Sequence, residues 1–239
     1  MAIEALFAEK WKELESVTRL AFPTWDGRDM ENFLKKMRVE GVDFTRLMAL
    51  RMARNVLTHN TMLNGSPLVT LNEGVMPFLD DVIARIKKLP TAMNILIPRE
   101  DVFSGTLNDG IHHVVGEMLA NVFSHVPVLD VNDHVIGVFS ESTMLEMSKA
   151  GIADGANMTL GDIAKFLPCE RHTAEVFRFV PKNDHIAHLR YLCAETLNNH
   201  ERIGMFFVTE NGKKDEPLLG ILTVWDIAGV SDFTTPSTC

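Results

Sequence analysis

The sequence predicts an α+β chain: an all-helical bundle over residues 1–89, followed by two small sheets packed by helices. Three observations carry that expectation. Apolar residues recur at spacings of three and four through the first 89 positions, the period of amphipathic helices. Beyond Pro90 the texture changes to short apolar runs separated by turn formers, the pattern of strands and hairpins. One strand–turn–strand–helix pattern is also written twice, around Val126–Ser140 and around Ile203–Asp226, which marks an internal repeat.

The elements follow in order. Ile3, Leu6, Phe7, Trp11, Leu14, Val17 and Leu20 form the stripe of a first helix over 3–21, broken by Phe22 to Gly27. A second helix is expected from Asp29 to Val39, with Phe33, Leu34 and Met37 inward. Asp43 can cap a third, carrying Phe44, Leu47, Leu50, Val56 and Leu57; Gly65 and Pro67 should stop it near 60–64. Val75, Phe78, Leu79, Val82, Ile83 and Ile86 predict a fourth over 72–89, with Lys87 and Lys88 suiting its C-terminal dipole. Asn94 to Ile97 reads as the start of a strand, and helices are expected from Thr106 or Asn108 to Asn121 and over 142–149. In the second copy a short helix is expected over 160–166, a strand over 176–180, a helix over 186–199 and then a hairpin. The expected boundaries are 1–89 for the helical bundle, 90–153 and 154–231 for the two repeats, and 232–239 for a polar, frayed tail.

Composition narrows the function classes. At 46% hydrophobic and 23% charged, the 239 residues can bury a core and do not read as disordered. The net charge of −9 argues against a general affinity for nucleic acid or anionic membrane, while leaving room for a local basic patch. Cys169, Cys193 and Cys239 are widely spaced and imply neither a disulfide framework nor a zinc site, which fits a reducing cytoplasm. No apolar run approaches the roughly 20 residues that cross a membrane, and the early acids of the N-terminus do not look like a secretory signal.

The chemistry gathers at Gly220-Ile-Leu-Thr223-Val-Trp-Asp226. A hydroxyl at Thr223 and a carboxylate at Asp226 would face one strand-to-helix corner. A carboxylate can accept from two ribose hydroxyls, and a hydroxyl can meet a phosphate oxygen; the plainer alternative is that Asp226 only caps a helix. The first copy repeats the beginning of this stretch as Gly137-Val-Phe-Ser140, after Val126-Pro127-Val128-Leu129-Asp130. Over roughly residues 90 to 230 the pair resembles a tandem CBS module. That resemblance implies an adenine nucleotide (AMP, ADP, ATP or a related adenosyl ligand) held through Thr223 and Asp226, with Ser140 in the matching place of the first copy. It also implies a regulatory role and a homodimer or higher even oligomer. The first copy departs from the family pattern: Thr143 stands at the acidic position and cannot chelate a ribose diol, so one intact and one degraded pocket are expected.

A second constellation lies late in the third helix. Asn55 and His59 share a face there, and Arg54 is adjacent to Asn55 in sequence. A histidine can move a proton and a guanidinium can hold a phosphate, enough in principle for metal-free RNA cleavage. A solvated arginine and a structural histidine explain the same residues. Arg54-Asn55-x-x-x-His59 in a small helical domain resembles the HEPN superfamily, which implies a dimerising bundle and, in many members, ribonuclease activity through Arg54, Asn55 and His59. His185 and His188 lack an evident third metal ligand, and the 13 methionines read as core filler.

Overall fold

The computed structural model describes residues 3–22, 25–37, 39–59, 62–63, 66–152, 157–173 and 175–230. The expected tail at 232–239 and the expected repeat boundary at 153/154 lie outside them. The chain forms two compact units, Met1–Pro90 with His185–Tyr191, and Thr91–Asp184 with Leu192–Cys239.

The first unit is built on helices α1 (Ile3–Ala21), α2 (Met30–Lys36), α3 (Phe44–Thr58) and α4 (Val75–Lys88). The stripe of α1 buries Phe7, Trp11, Leu14, Thr18 and Ala21, and α4 buries Val75, Leu79, Val82, Ile83 and Ile86. These meet Leu34 and Leu47 in one core. Asp43 caps α3, its carboxylate accepting the Arg46 N–H at 2.9 Å. The expectation of a purely helical first segment needs one correction, because Met62–Leu63 (β1) and Ser66–Pro67 (β2) form a small antiparallel ladder. Accordingly α3 stops at Thr58, short of the expected 60–64, with His59 as its C-cap. α2 is also shorter than expected. Its N-cap, Asp29, is left-handed (φ 42°, ψ 53°), and the helix ends at Lys36 with the Met37 N–H turned to Phe33 and Lys35 carbonyls.

The second unit opens with α5 (Ala92–Ile95) and β3 (Ile97–Pro98). The strand expected from Asn94 begins later because Thr91 and Asn94 close a capping box, the Asn94 side chain accepting the Thr91 N–H at 2.9 Å. Then come α6 (Ile111–Asn121), β4 (His125–Leu129), β5 (Val135–Ser140) and α7 (Glu141–Lys149). After the described turn of 3₁₀ helix at Gly161–Phe166 follow β6 (Glu175–Pro181), α8 (Ile186–Asn198), β7 (Arg202–Thr209), β8 (Gly220–Leu222) and α9 (Val224–Gly229). The 192–198 portion of α8 groups with this unit and its beginning with the first.

Both copies run strand–helix–strand–strand–helix. In the second, β6 pairs parallel with β7, and β7 antiparallel with β8. In the first, β4 pairs antiparallel with β5, and the leading strand is reduced to a parallel bridge from Gly105 to Val128. The copies also exchange edges. Ile97, at the start of the first copy, pairs with Ile221 in β8, giving the sheet order β3-β8-β7-β6. Leu167, in the segment before β6 of the second, accepts the Val138 N–H of β5 at 2.8 Å. At each exchange a glycine meets the incoming backbone. A Cβ on Gly137 would stand 2.5 Å from the Leu167 carbonyl oxygen, and one on Gly220 would collide with that of Ile97.

A buried carboxylate ties three strands together. Glu175 is 5% exposed. Its Oε2 stands 2.8 Å from His125 Nε2, which must carry the proton of that bond, and its Oε1 accepts from Arg202 at 2.6 Å. Ser124 Oγ meets the other ring nitrogen at 2.7 Å. The His125 hydrogen bond, with help from Arg202, holds the Glu175 carboxyl below its ordinary value against the opposing effect of burial.

Two outcomes follow from this geometry. Gly137→Ala and Gly220→Ala should each lower stability by about 1–3 kcal/mol, read as a drop in urea midpoint, because backbone rather than a flexible side chain fills the space a methyl needs. A depressed carboxyl contributes stability that is present above its unfolded-state value and lost as pH falls through the folded one. Glu175→Gln should therefore be less stable than wild type near neutrality and lose less on acidification through and below the ordinary glutamate range, where Glu175 protonates; parallel stability–pH curves would remove the carboxylate from this role.

Candidate functional site

The corner after β8 is a helix start. Thr223 is the N-cap of α9, in extended conformation (φ −106°, ψ 168°), and Asp226 is the third helical residue. The two close a capping box. Asp226 Oδ2 accepts from both the Thr223 N–H and the Thr223 hydroxyl, each at 2.7 Å, and Thr223 Oγ1 faces the Asp226 N–H at 3.4 Å. Of the two accounts weighed from the sequence, this geometry is the capping one: Asp226 belongs to the cap, although Thr223 occupies the N-cap position. Only one carboxylate oxygen is engaged, and Oδ1 makes no hydrogen bond among the described residues. Both side chains are half-buried, while Trp225 between them is 85% exposed. The corner leaves Asp226 Oδ1 unengaged, whereas the Thr223 hydroxyl is committed to the cap.

The first corner has the same backbone plan and different chemistry. Ser140 is the N-cap of α7 (φ −143°, ψ 172°), its N–H donating to Thr143 Oγ1 at 3.1 Å and its Oγ facing the Thr143 N–H at 3.3 Å. Ser140 Oγ also meets Ser142 Oγ at 2.8 Å, and Ser142 Oγ meets His172 Nδ1 at 3.2 Å. Ser140 and Thr143 are each 1% exposed. The His172 ring packs edge-on against Phe177, with centroids 5.0 Å apart, and burial holds its imidazole below the ordinary histidine value. Ser140, expected to face a ligand, is therefore enclosed in a hydroxyl–imidazole chain within the protein. His172 was not singled out from the sequence, because it lies 30 positions from Ser142 and only the fold brings them together.

The helical unit holds a second candidate. Arg54 and Asn55 of α3 line a cleft of about 500 Å³, together with Trp11 and Glu15 of α1 and the loop that carries Trp25, Arg28 and Asp29. Arg54 Nη1 donates weakly to Asn55 Oδ1 at 3.4 Å, and Arg54 Nη2 stands 3.9 Å from Glu15. His59 does not line this cleft. It is exposed at the C-cap, where its N–H donates to the Asn55 carbonyl at 3.2 Å. The structure joins two members of the Arg-Asn-His set and leaves the third at the end of the helix. No group of three or more His, Cys, Asp or Glu among the described residues is placed to hold a metal ion. No helix among them is long and apolar enough to cross a membrane.

Comparison with known proteins bears on the second unit. Among solved structures, CBSX2 in complex with AMP is 18% identical, with 58% of this chain and 92% of that one covered at a TM-score of 0.43. CbpB in complex with c-di-AMP is 21% identical, with 59% and 83% covered at 0.42. A hemolysin-like, CBS-containing protein of Oenococcus oeni PSU is 16% identical, with 60% and 91% covered at 0.41. No curated protein matches the sequence. The family model of the CBS domain matches residues 95–149, from the end of α5 through the end of α7.

Proposed function

We propose that the chain is an adenine-nucleotide sensor: a CBS pair, with repeats at 90–153 and 154–231, whose ligand state controls the N-terminal helical unit. The observation that carries this reading is the Thr223–Asp226 corner, a half-buried carboxylate with Oδ1 unengaged beside a hydroxyl. It occupies the place in the second copy that the CBS resemblance assigns to ribose and phosphate, and the CBS match over 95–149 supports a CBS module in the first copy. The ribose diol donates to Asp226 Oδ1, and Thr223 meets the phosphate after its hydroxyl turns from Asp226. The buried Ser140 corner, with Thr143 in place of the acid, supports a single nucleotide per chain. Control of the helical unit requires the nucleotide to favour one arrangement of the protein over another by differential affinity. The working assembly in this reading is a cytoplasmic homodimer or higher even oligomer.

A second reading, a nucleotide-regulated, metal-independent ribonuclease of HEPN type, draws support from the placement of Arg54 and Asn55 in one cleft. In it Arg54 holds the scissile phosphate, Asn55 orients the substrate and His59, brought to the cleft on binding or supplied by a second copy, moves the 2′-hydroxyl proton.

Titration of the full chain with AMP, ADP and ATP tests the first reading. Asp226→Ala should weaken the preferred nucleotide about 10–100-fold, the loss expected for charge-assisted hydrogen bonds to ribose. Its melting temperature without ligand separates this from loss of the capping box, and unchanged affinity would place the ligand elsewhere. For the second reading, RNA cleavage by wild type that disappears in His59→Ala and responds to nucleotide is the expected outcome; equal cleavage by both proteins would remove His59 from any catalytic role.

A further inference from the structure

The cleft in the helical unit contains more positive charge than its own carboxylates match at close range. Three guanidinium groups, Arg28, Arg51 and Arg54, line it. Arg51 is partnered: its Nη2 stands 2.7 Å from Glu31 Oε1, whose side chain is only 3% exposed, and 3.7 Å from Asp29. Its Nε is buried without a hydrogen-bond partner. Arg54 is held loosely, because Glu15, its nearest carboxylate at 3.9 Å, already accepts the Trp11 indole N–H at 2.9 Å. The Arg28 guanidinium has no ion pair among the described residues. The loop that presents it is fixed rather than loose: Asp29 is left-handed at φ 42°, Asn32 donates to its carboxylate at 2.7 Å, and the Trp25 indole donates to the Arg28 carbonyl at 2.6 Å.

Solvated surface arginines would account for one such group. Two under-compensated guanidiniums lining one concavity of ligand size call for an acceptor. From this geometry we infer that the cleft is a binding site for a compact oxyanion, a small molecule bearing phosphate or carboxylate. Arg28 and Arg54 clamp it, and Asn55 donates an amide N–H. Planar guanidinium forks suit both groups because each offers paired oxygens. The site does not depend on the nucleotide corner and does not require His59.

Calorimetric titration of the full chain with pyrophosphate, and separately with citrate, tests this. Saturable binding of at least one probe is expected, and the tighter of the two names the source, phosphate or carboxylate. Arg28→Gln and Arg54→Gln should each weaken it about tenfold or more, the loss expected for a charge-assisted hydrogen bond, with Arg54→Lys intermediate. Asp226→Ala should leave it unchanged, so that failure here and failure of the nucleotide reading are distinguishable. The replaced side chains reach solvent, and an unchanged melting temperature verifies that each variant folds. Absence of saturable binding by wild type, or equal binding by wild type and both Gln variants, overturns the assignment.

Discussion

Two backbone carbonyls lie where a side chain would otherwise begin, and the second unit depends on that closeness. Leu167 lies against Gly137, and Ile97 against Gly220. In each case the segment leading into one copy fills the space beside a strand of the other. The approach satisfies edge groups that a three- or two-stranded sheet would leave exposed, and hydrogen in place of a methyl group permits it. A helix is capped at Ser140, the last residue of β5, and at Thr223, the first residue after β8. Each candidate corner thus lies three residues beyond a glycine at which the copies join.

From that shared origin the corners diverge by chemistry rather than by backbone. Each is a capping box on an extended N-cap residue. Where the third helical residue is Asp226, one oxygen closes the box and the other is left over. Where it is Thr143, a single hydroxyl closes the box and nothing anionic remains. Serines and an imidazole then complete the neutral corner, and the protein has closed over it. Burying a carboxylate in the same surroundings would require a partner charge, such as the one that accompanies Glu175 elsewhere in the unit.

Much of this was legible in the sequence, for reasons that can be named. The stripes of α1 and α4 were readable because one face of each is core and the other is not. The hairpins were readable because Asp130-Val-Asn-Asp133 and Glu210-Asn-Gly212 are turn formers between apolar runs. Thr223 and Asp226 were readable because three residues span one helical turn. Features set by distant residues were not. Local pattern assigns Asn94 to a strand, whereas its side chain closes a cap. The arginine cleft draws on α1, α3 and a loop with a left-handed aspartate, and no spacing within one helix announces it. The enclosure of Ser140 depends on His172, from the segment before β6.

The three tryptophans divide between the two candidate sites in a way that has an optical consequence. Trp11 and Trp25, at 3% and 5% exposure, lie in the wall of the arginine cleft, and Trp225 lies almost fully in water inside the Thr223–Asp226 corner. Buried indoles emit at shorter wavelength than hydrated ones. The blue side of the emission band therefore comes from the helical unit and the red side from the Thr223–Asp226 corner. A single unlabelled sample can report events at the two places separately, and a quencher dissolved in the solvent would reach only the second.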